Sequence, residues 1–459
     1  MQALYQLSYS PLFASLSSGF PRRHREHYTV TPVLHQIGFR SVRRRAVTST
    51  FVTVKVLVHT AARFPSARRP VPLAAAVCLL SFAAFWAAQR AAGVSMIDLL
   101  VYRAEGQTVR AGADLYAMRA TRAQLPTTYP PFAALLFTPL TLLGVPELRA
   151  LATVANLGLL VALAELSLRL AVPGRLGAPL WMRRPGAGLW IAALAVWCEP
   201  VWTTLRYGQI NLLLAVAVLW DLTRERGDRR AGTGIGLAAA LKLTPALFGL
   251  LLLITAVIRK RSGAGNSPLA VTIRAAAVFC AATAAAAMAL PHDSLRFWTS
   301  MVFEAGRVGH AEDTANQSLR GVLARLLHTG EPGPWWTAAA VVAAVLGLAV
   351  AVRAELRGER AWAATACAVT ALLVSPVSWS HHWVWCVPVV VLLVAERSRW
   401  ALLGAVFCLY ALWWVPHGTS RPELAQSGGQ MALSALYPLA GAGFLVLAAL
   451  RPSRRSRSA

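Results

Sequence analysis

The sequence predicts an all-α integral membrane protein, on three observations. Of its 459 residues, 56% are hydrophobic and 14% charged, where a soluble domain carries about a quarter charged residues. Apolar runs such as 334–352 and 431–450 reach or approach the length that crosses a hydrocarbon core of about 30 Å. About a dozen such runs in series cannot all be buried core helices, which excludes a soluble fold. Finally, 45 Lys and Arg stand against 19 Asp and Glu, a formal charge of +26. The basic residues cluster between apolar runs, at Arg183-Arg184, Arg224 to Arg230, Arg259 to Arg261, Arg353 to Arg360, Arg397 with Arg399, and Arg451 to Arg457. That is how cytoplasmic loops are charged, and it argues against nucleic acid as the partner.

Residues 1–70 hold eleven Lys or Arg and one acidic residue, with no run long enough to span and no h-region of a signal peptide. They are expected to form a disordered cytoplasmic extension without chemistry. Residues 71–450 are the transmembrane domain, and 451–459 a basic cytoplasmic tail. Thirteen apolar candidates follow in order: 71–93, 129–144, 149–171, 187–205, 209–222, 231–241, 244–258, 270–290, 334–352, 361–376, 382–396, 400–416 and 431–450. Two basic ends on one side require an even number of crossings. Keeping every later basic cluster inside leaves 129–144 as the run that does not cross. It is short and carries Pro130, Pro131 and Pro139, so a re-entrant or interfacial element is predicted there, tolerated where protein or a cavity surrounds it. About twelve crossings remain. The short runs 209–222, 231–241 and 244–258 have the length of broken helices around a membrane-embedded site.

With this topology the unusual polar residues gather at the outer ends of spans: Asp98, Arg206 to Asn211, Lys242 to Pro245, Asn316-Gln317-Ser318, and Ser375 to His382. Polar groups at membrane depth are costly and normally pair or serve a site. Each also has an ordinary reading. Asp98 has that of a helix cap. For Arg206 and Lys242 it is snorkelling. Gln209, Asn211 and Asn316 have that of polar glue between helices. His381 and His382 lie between Trp379 and Trp383, which suit interfacial anchors. Adjacent histidines diverge on a helix and no acidic partner lies nearby in sequence, so one of them suits hydrogen bonding or proton transfer better than a metal. The six cysteines show neither CxxC nor zinc-ligand spacing.

Seven segments in order carry a resemblance. They are Met96-Ile97-Asp98 through Tyr102, Gly112 to Tyr116, Tyr129-Pro130-Pro131-Phe132, Gly208-Gln209-Ile210-Asn211, Lys242-Leu243-Thr244-Pro245, Asn316-Gln317-Ser318-Leu319, and Ser375 to His382. Together they resemble glycosyltransferase family 87, the polyprenyl-phosphate-mannose-dependent α-1,2-mannosyltransferases, over roughly 71–450. The resemblance implies a GT-C architecture, an active site at the outer membrane face, a β-mannosyl phosphopolyprenol donor and an inverting transfer to a glycolipid or lipoglycan. It implies Asp98 as the general base that takes the acceptor hydroxyl's proton. Arg206, Lys242, His381 and His382 would contact the donor phosphate. Tyr102, Tyr129, Gln209, Asn211, Asn316 and Ser318 would bind sugar or acceptor. The segment after Asp98 offers Glu105 and Asp114 without DxD or ExD spacing. A monophosphate can be neutralised by Lys and Arg, so no metal and no cofactor are expected.

Two other readings stay open on the residues alone. A transporter or flippase of lipid-linked sugars needs polar groups along a path through the bilayer, whereas here they gather at one face. The same enzyme class with arabinose or glucose is not separable by sequence.

Overall fold

The computed structural model describes residues 70–452 apart from 174, 176, 226 and 264–267. The N-terminal extension up to residue 69 and the tail from 453 lie outside the described residues. Pro70–Ala87 with Val94–Ala459 form one compact unit, which holds the site described below.

Among the described residues the elements are helical apart from one hairpin with two residues in each strand. α1 (Pro70–Ala91) is followed by α2 (Ile97–Arg110), and the hairpin β1 (Arg119–Ala120) with β2 (Leu125–Pro126) leads to α3 (Pro131–Phe137). A 3-10 turn, Thr138–Leu142, then precedes α4 (Val145–Ala171). Next come α5 (Ala187–Ala195) and α6 (Glu199–Tyr207), bent by 76° across their break. α7 (Asn211–Leu222), α8 (Thr233–Leu241), α9 (Ala246–Arg261), α10 (Leu269–Ala289) and α11 (Pro291–Thr299) follow. After α12 (Leu319–Leu326), α13 (Gly333–Leu356) and α14 (Arg360–Val374), a 3-10 stretch at Ser380–Trp385 runs into α15 (Cys386–Ala395). Further 3-10 turns, Arg399–Phe407, Ala411–Trp414 and Pro422–Ala425, lead to α16 (Gly428–Ser434) and α17 (Leu436–Leu450).

Among the described residues four helices are long and apolar enough to cross a bilayer, Val71–Ala91, Val145–Ala171, Leu269–Ala289 and Gly333–Leu356, or up to six if each bent pair is one span. The other expected spans fold as shorter pieces. Run 400–416 becomes 3-10 turns, and 231–241 and 244–258 become separate helices with Lys242 extended between them at φ −153°, ψ 129°. Run 129–144 becomes the seven-residue α3 and a 3-10 turn. The prolines explain the last case: Pro131 suits a helix start, and Pro139 lacks the N–H that a continuing helix would donate.

The surface of the long helices accounts for the membrane setting. In the apolar windows of Val71–Ala91 and Gly333–Leu356 only 17% of the residues are buried. Leu79, Leu80, Val341, Val342, Val345 and Leu346 are all exposed. A helix apolar on every face and covered on few of them requires lipid around it. The protein is a multi-pass membrane protein. Its core runs along α4, α7, α14 and α15. α13 lies flush against α14 because Gly347 leaves room for Thr370, whose Oγ1 would collide with a Cβ at that position.

Candidate active site

Met96 takes the left-handed conformation at φ 52°, an uncommon state for a residue with a Cβ, and turns the chain into α2. Asp98 therefore falls in the first turn of α2, where unpaired backbone N–H groups favour a carboxylate. Positions 98, 102 and 105 are spaced i, i+4, i+7, so Asp98, Tyr102 and Glu105 share one face of the helix.

That face meets the end of α6. Gly208 closes α6 at φ +69°, and a Cβ there would stand 2.7 Å from Leu99 Cβ. Glycine thus supplies both the turn and the room for α2 to approach. The next residue, Gln209, donates from Nε2 to Asp98 Oδ2 at 2.6 Å. Its Oε1 accepts from the hydroxyls of Tyr102 at 2.7 Å and Tyr129 at 3.1 Å. The two phenols are 2.9 Å apart. Tyr129 is held by its own loop, where Arg307 donates to Thr127 O at 2.5 Å and Thr128 O at 3.2 Å. Tyr116 donates to Tyr129 O at 3.0 Å.

On the other side of Tyr129 lie the cation and the histidines. Lys242 Nζ is 5.7 Å from the centre of the Tyr129 ring and 3.0 Å from His382 Nε2. An ammonium has only donors, so His382 Nε2 accepts and its ring is neutral with the proton on Nδ1. Lys242 also donates to Asn211 Oδ1 at 3.5 Å. Asn211 Nδ2 and Thr204 Oγ1 both donate to His381 O, at 3.1 and 2.8 Å. The His381 ring stands edge-on to Tyr207 and His382, and its Nε2 is buried with no hydrogen-bond partner among the described residues. Arg206 sits half-buried in the last turn of α6.

Burial pushes the Asp98 carboxyl up to about 6, against the opposing pull of the Gln209 bond and the Lys242 charge. Glu105 is completely buried with neither oxygen hydrogen-bonded among the described residues, and burial pushes it up to about 8, opposed by Arg307. Asp114 goes the other way. Although burial acts to raise it, the backbone N–H groups of Ala117 and Tyr116 and the Arg296 guanidinium 2.6 Å away hold it below the usual range.

Beside Lys242 an open cleft encloses about 530 Å³ of empty space, part of it open to solvent. Asn211, Lys242, Ser378 and His382 line its polar side, and Leu214, Phe248, Leu372, Val384 and Trp385 are among its apolar walls. Among the described residues no group of three or more His, Cys, Asp or Glu stands close enough to hold a metal ion.

The structure thus brings together Asp98, Tyr102, Tyr129, Gln209, Asn211, Lys242, His381 and His382, from five separate stretches of chain. Asn316 and Ser318 are placed differently. Both are fully buried, with Asn316 Oδ1 accepting from Ser378 N at 3.0 Å and its Nδ2 donating to Ala311 O at 3.0 Å. Ser318 Oγ caps α12 through Gly321 N and reaches Pro376 O at 3.3 Å. Together with a bridge between Asn316 and Trp379, they stitch the histidine segment in place. Sequence reading missed Glu199, a fully buried carboxylate that accepts four hydrogen bonds beneath the histidines. Its signal was present, an acidic residue inside the apolar run 187–205.

The chain matches the model of glycosyltransferase family 87 over residues 128–376. It is 36% identical over 345 residues to a protein of Mycolicibacterium smegmatis named polyprenol-phosphate-mannose-dependent alpha-(1-2)-phosphatidylinositol mannoside mannosyltransferase, covering 70% of this chain and 75% of that one. It is 32% identical over 351 residues to a protein of Mycobacterium tuberculosis named polyprenol-phosphate-mannose-dependent alpha-(1-2)-phosphatidylinositol pentamannoside mannosyltransferase, covering 73% and 76%. No solved structure matches the chain.

Proposed function

Because this chain belongs to glycosyltransferase family 87, we propose that the Asp98–Lys242–His382 cluster is where mannose passes from a polyprenyl-phosphate donor to a phosphatidylinositol mannoside. The chain is a polyprenol-phosphate-mannose-dependent mannosyltransferase that forms an α-1,2 linkage. Its relatives are named as transferases, and nothing favours a transporter.

One observation carries the reading of the site. Lys242 and the neutral His382 stand at the polar edge of a cleft whose other walls are largely apolar. A phosphate on an isoprenoid chain needs just these two surfaces, a cation for the headgroup and an apolar channel for the tail. Charge on the departing phosphate is greatest as its bond to the anomeric carbon breaks, so Lys242 stabilises the transition state more than the ground state. His381 Nε2, buried and without a hydrogen-bond partner among the described residues, is a further polar group beside the cleft's histidine.

Asp98 supplies the base. Its Oδ2 is occupied by Gln209, so Oδ1 takes the proton from the acceptor hydroxyl as that oxygen attacks C1 of mannose. The C1–O bond to phosphate breaks on the opposite side, the pair of electrons stays on the polyprenyl phosphate, and the configuration inverts. Gln209, Tyr102 and Tyr129 orient Asp98 and offer hydroxyl and amide groups to the sugar.

We read the site as facing the outer leaflet, with about twelve crossings and 129–144 as the element that dips without crossing. Lys242 precedes the first turn of α9, whereas Arg259, Lys260 and Arg261 occupy its last turn. A 16-residue helix is about 24 Å long, so the basic cluster lies a bilayer leaflet or more from the site, as positive-inside charge would.

The test is to incubate purified protein with labelled polyprenyl-phosphate-mannose and a panel of mannosylated phosphatidylinositol acceptors, comparing wild type with Asp98→Asn. Transfer by wild type and none by the variant supports the reading. Equal transfer by both removes Asp98 from the chemistry.

A further inference from the structure

Glu199 opens α6 and is completely buried, with 0% of its surface exposed. Four donors converge on it. Oε1 accepts from Thr203 Oγ1 at 2.8 Å, Ser380 Oγ at 2.8 Å and Trp413 Nε1 at 3.1 Å, and Oε2 accepts from Tyr437 OH at 2.9 Å. A carboxylate this deep is tolerable only when its oxygens are satisfied. The Trp413 indole can only donate, and three donors on one oxygen suit an ionised acceptor.

What sets this carboxylate apart from an ordinary buried hub is which residues it joins. Ser380 immediately precedes His381 and His382. One turn further along α6, Thr204 donates to the His381 carbonyl. The last residue of the same helix, Tyr207, stands edge-on to the His381 ring. Two residues later comes Gln209, which holds Asp98. α6 is therefore one rigid lever with the histidine segment bonded to its beginning and middle and the base-orienting amide at its end.

We propose that Glu199 is a positioning residue for the donor site: through Ser380 it fixes the 3-10 stretch Ser380–Trp385, and so the placement of His382 against Lys242. This rests on the reading that Lys242 and the histidines receive the donor phosphate. The bond to an ionised carboxylate is of the stronger kind. Without it the segment keeps its carbonyl bonds from Thr204 and Asn211 but loses the tether on its first side chain.

The experiment measures kcat, KM for the lipid donor and thermal midpoint in detergent for Glu199→Gln, Ser380→Ala, Tyr437→Phe, Lys242→Ala and the double variant Glu199→Gln/Ser380→Ala. Ser380→Ala is expected to raise the donor KM about tenfold, the loss of one charge-assisted hydrogen bond, with a small shift of the midpoint. Glu199→Gln should raise it at least as much, and the double variant no further than Glu199→Gln alone, because both remove one linkage. Tyr437→Phe takes a donor from the same carboxylate but keeps the ring that packs against Trp383 of the histidine segment, so it should lower the midpoint while leaving the donor KM within about twofold. Should Glu199→Gln fail to fold, Ser380→Ala decides alone. A wild-type donor KM in Ser380→Ala, or an equal rise in Tyr437→Phe, overturns the proposal. An unchanged donor KM in Lys242→Ala would instead overturn the donor-phosphate reading beneath it.

Discussion

Gln209 faces Asp98 with its amide NH2, 2.6 Å from Oδ2, because its carbonyl is committed to the hydroxyls of Tyr102 and Tyr129. The amide is thereby fixed in one of its two flips, since reversing it would set a carbonyl oxygen against the carboxylate. The proposed base is aimed by a residue from the turn between α6 and α7, more than a hundred positions away in sequence.

Replacing Asp98 by Asn keeps the shape and one acceptor but removes the proton acceptor. Turnover should fall by about 10²- to 10⁴-fold, the usual worth of a general base. Donor affinity, measured by equilibrium binding of labelled polyprenyl-phosphate-mannose, should stay within about threefold, since the phosphate contacts remain.

The pH profile should show an acid limb near Asp98's raised value of about 6. The base works only when deprotonated, so kcat/KM rises with pH up to that point and then levels off. The Gln209 bond lowers the carboxyl, so Gln209→Leu should move the limb to higher pH as well as reduce the plateau. A limb left near 4, the ordinary carboxylate range, would show that a different group is titrating.

Gly208→Ala should be costly in two ways. The left-handed backbone costs a residue with a Cβ about 1–2 kcal/mol, and the new methyl must displace Leu99, 2.7 Å away. Because Leu99 neighbours Asp98, the variant should lose activity as well as thermal stability. Melting in detergent and turnover together check this, and a wild-type value in both would contradict the tight approach of α2 to α6.

Glu105 offers a test of stability alone. Its folded-state value, about 8, lies above that of the unfolded chain, so the folded protein holds the proton more tightly. The contribution of this group is therefore fullest below about pH 4, the unfolded value, and is lost as pH rises through about 8. Glu105→Gln keeps the shape without the ionisation and should melt higher than wild type at pH 8 and nearly equal to it at pH 5. Melting curves at the two pH values decide it.

The candidate site was more legible in the sequence than the helix count. Asp98, Lys242, His381 and His382 stand out because a charged or titratable group beside an apolar run is rare and expensive. The same rule marks Glu199, which escaped notice because its neighbours looked like an ordinary span. Asn316 and Ser318 were legible as polar residues in a motif. Their use was not, because an amide that stitches two backbones and an amide that faces a ligand have the same sequence signature. The spans were harder still. Hydropathy reports that 231–241 and 244–258 avoid water, but not that the chain would straighten at Lys242 or that 400–416 would wind as 3-10 turns.

By itself the sequence determined that this chain lives in lipid, because apolar surface on that scale has no other solvent. Its ordered motifs likewise identify the family. Only the tertiary structure decided that Gln209 bridges Asp98 to two tyrosines, that Lys242 reaches His382, and that Glu199 bonds to Ser380 beside the histidines. Those contacts join residues up to 181 positions apart, and the distance and direction of a hydrogen bond are fixed by how helices pack, which composition and periodicity do not encode.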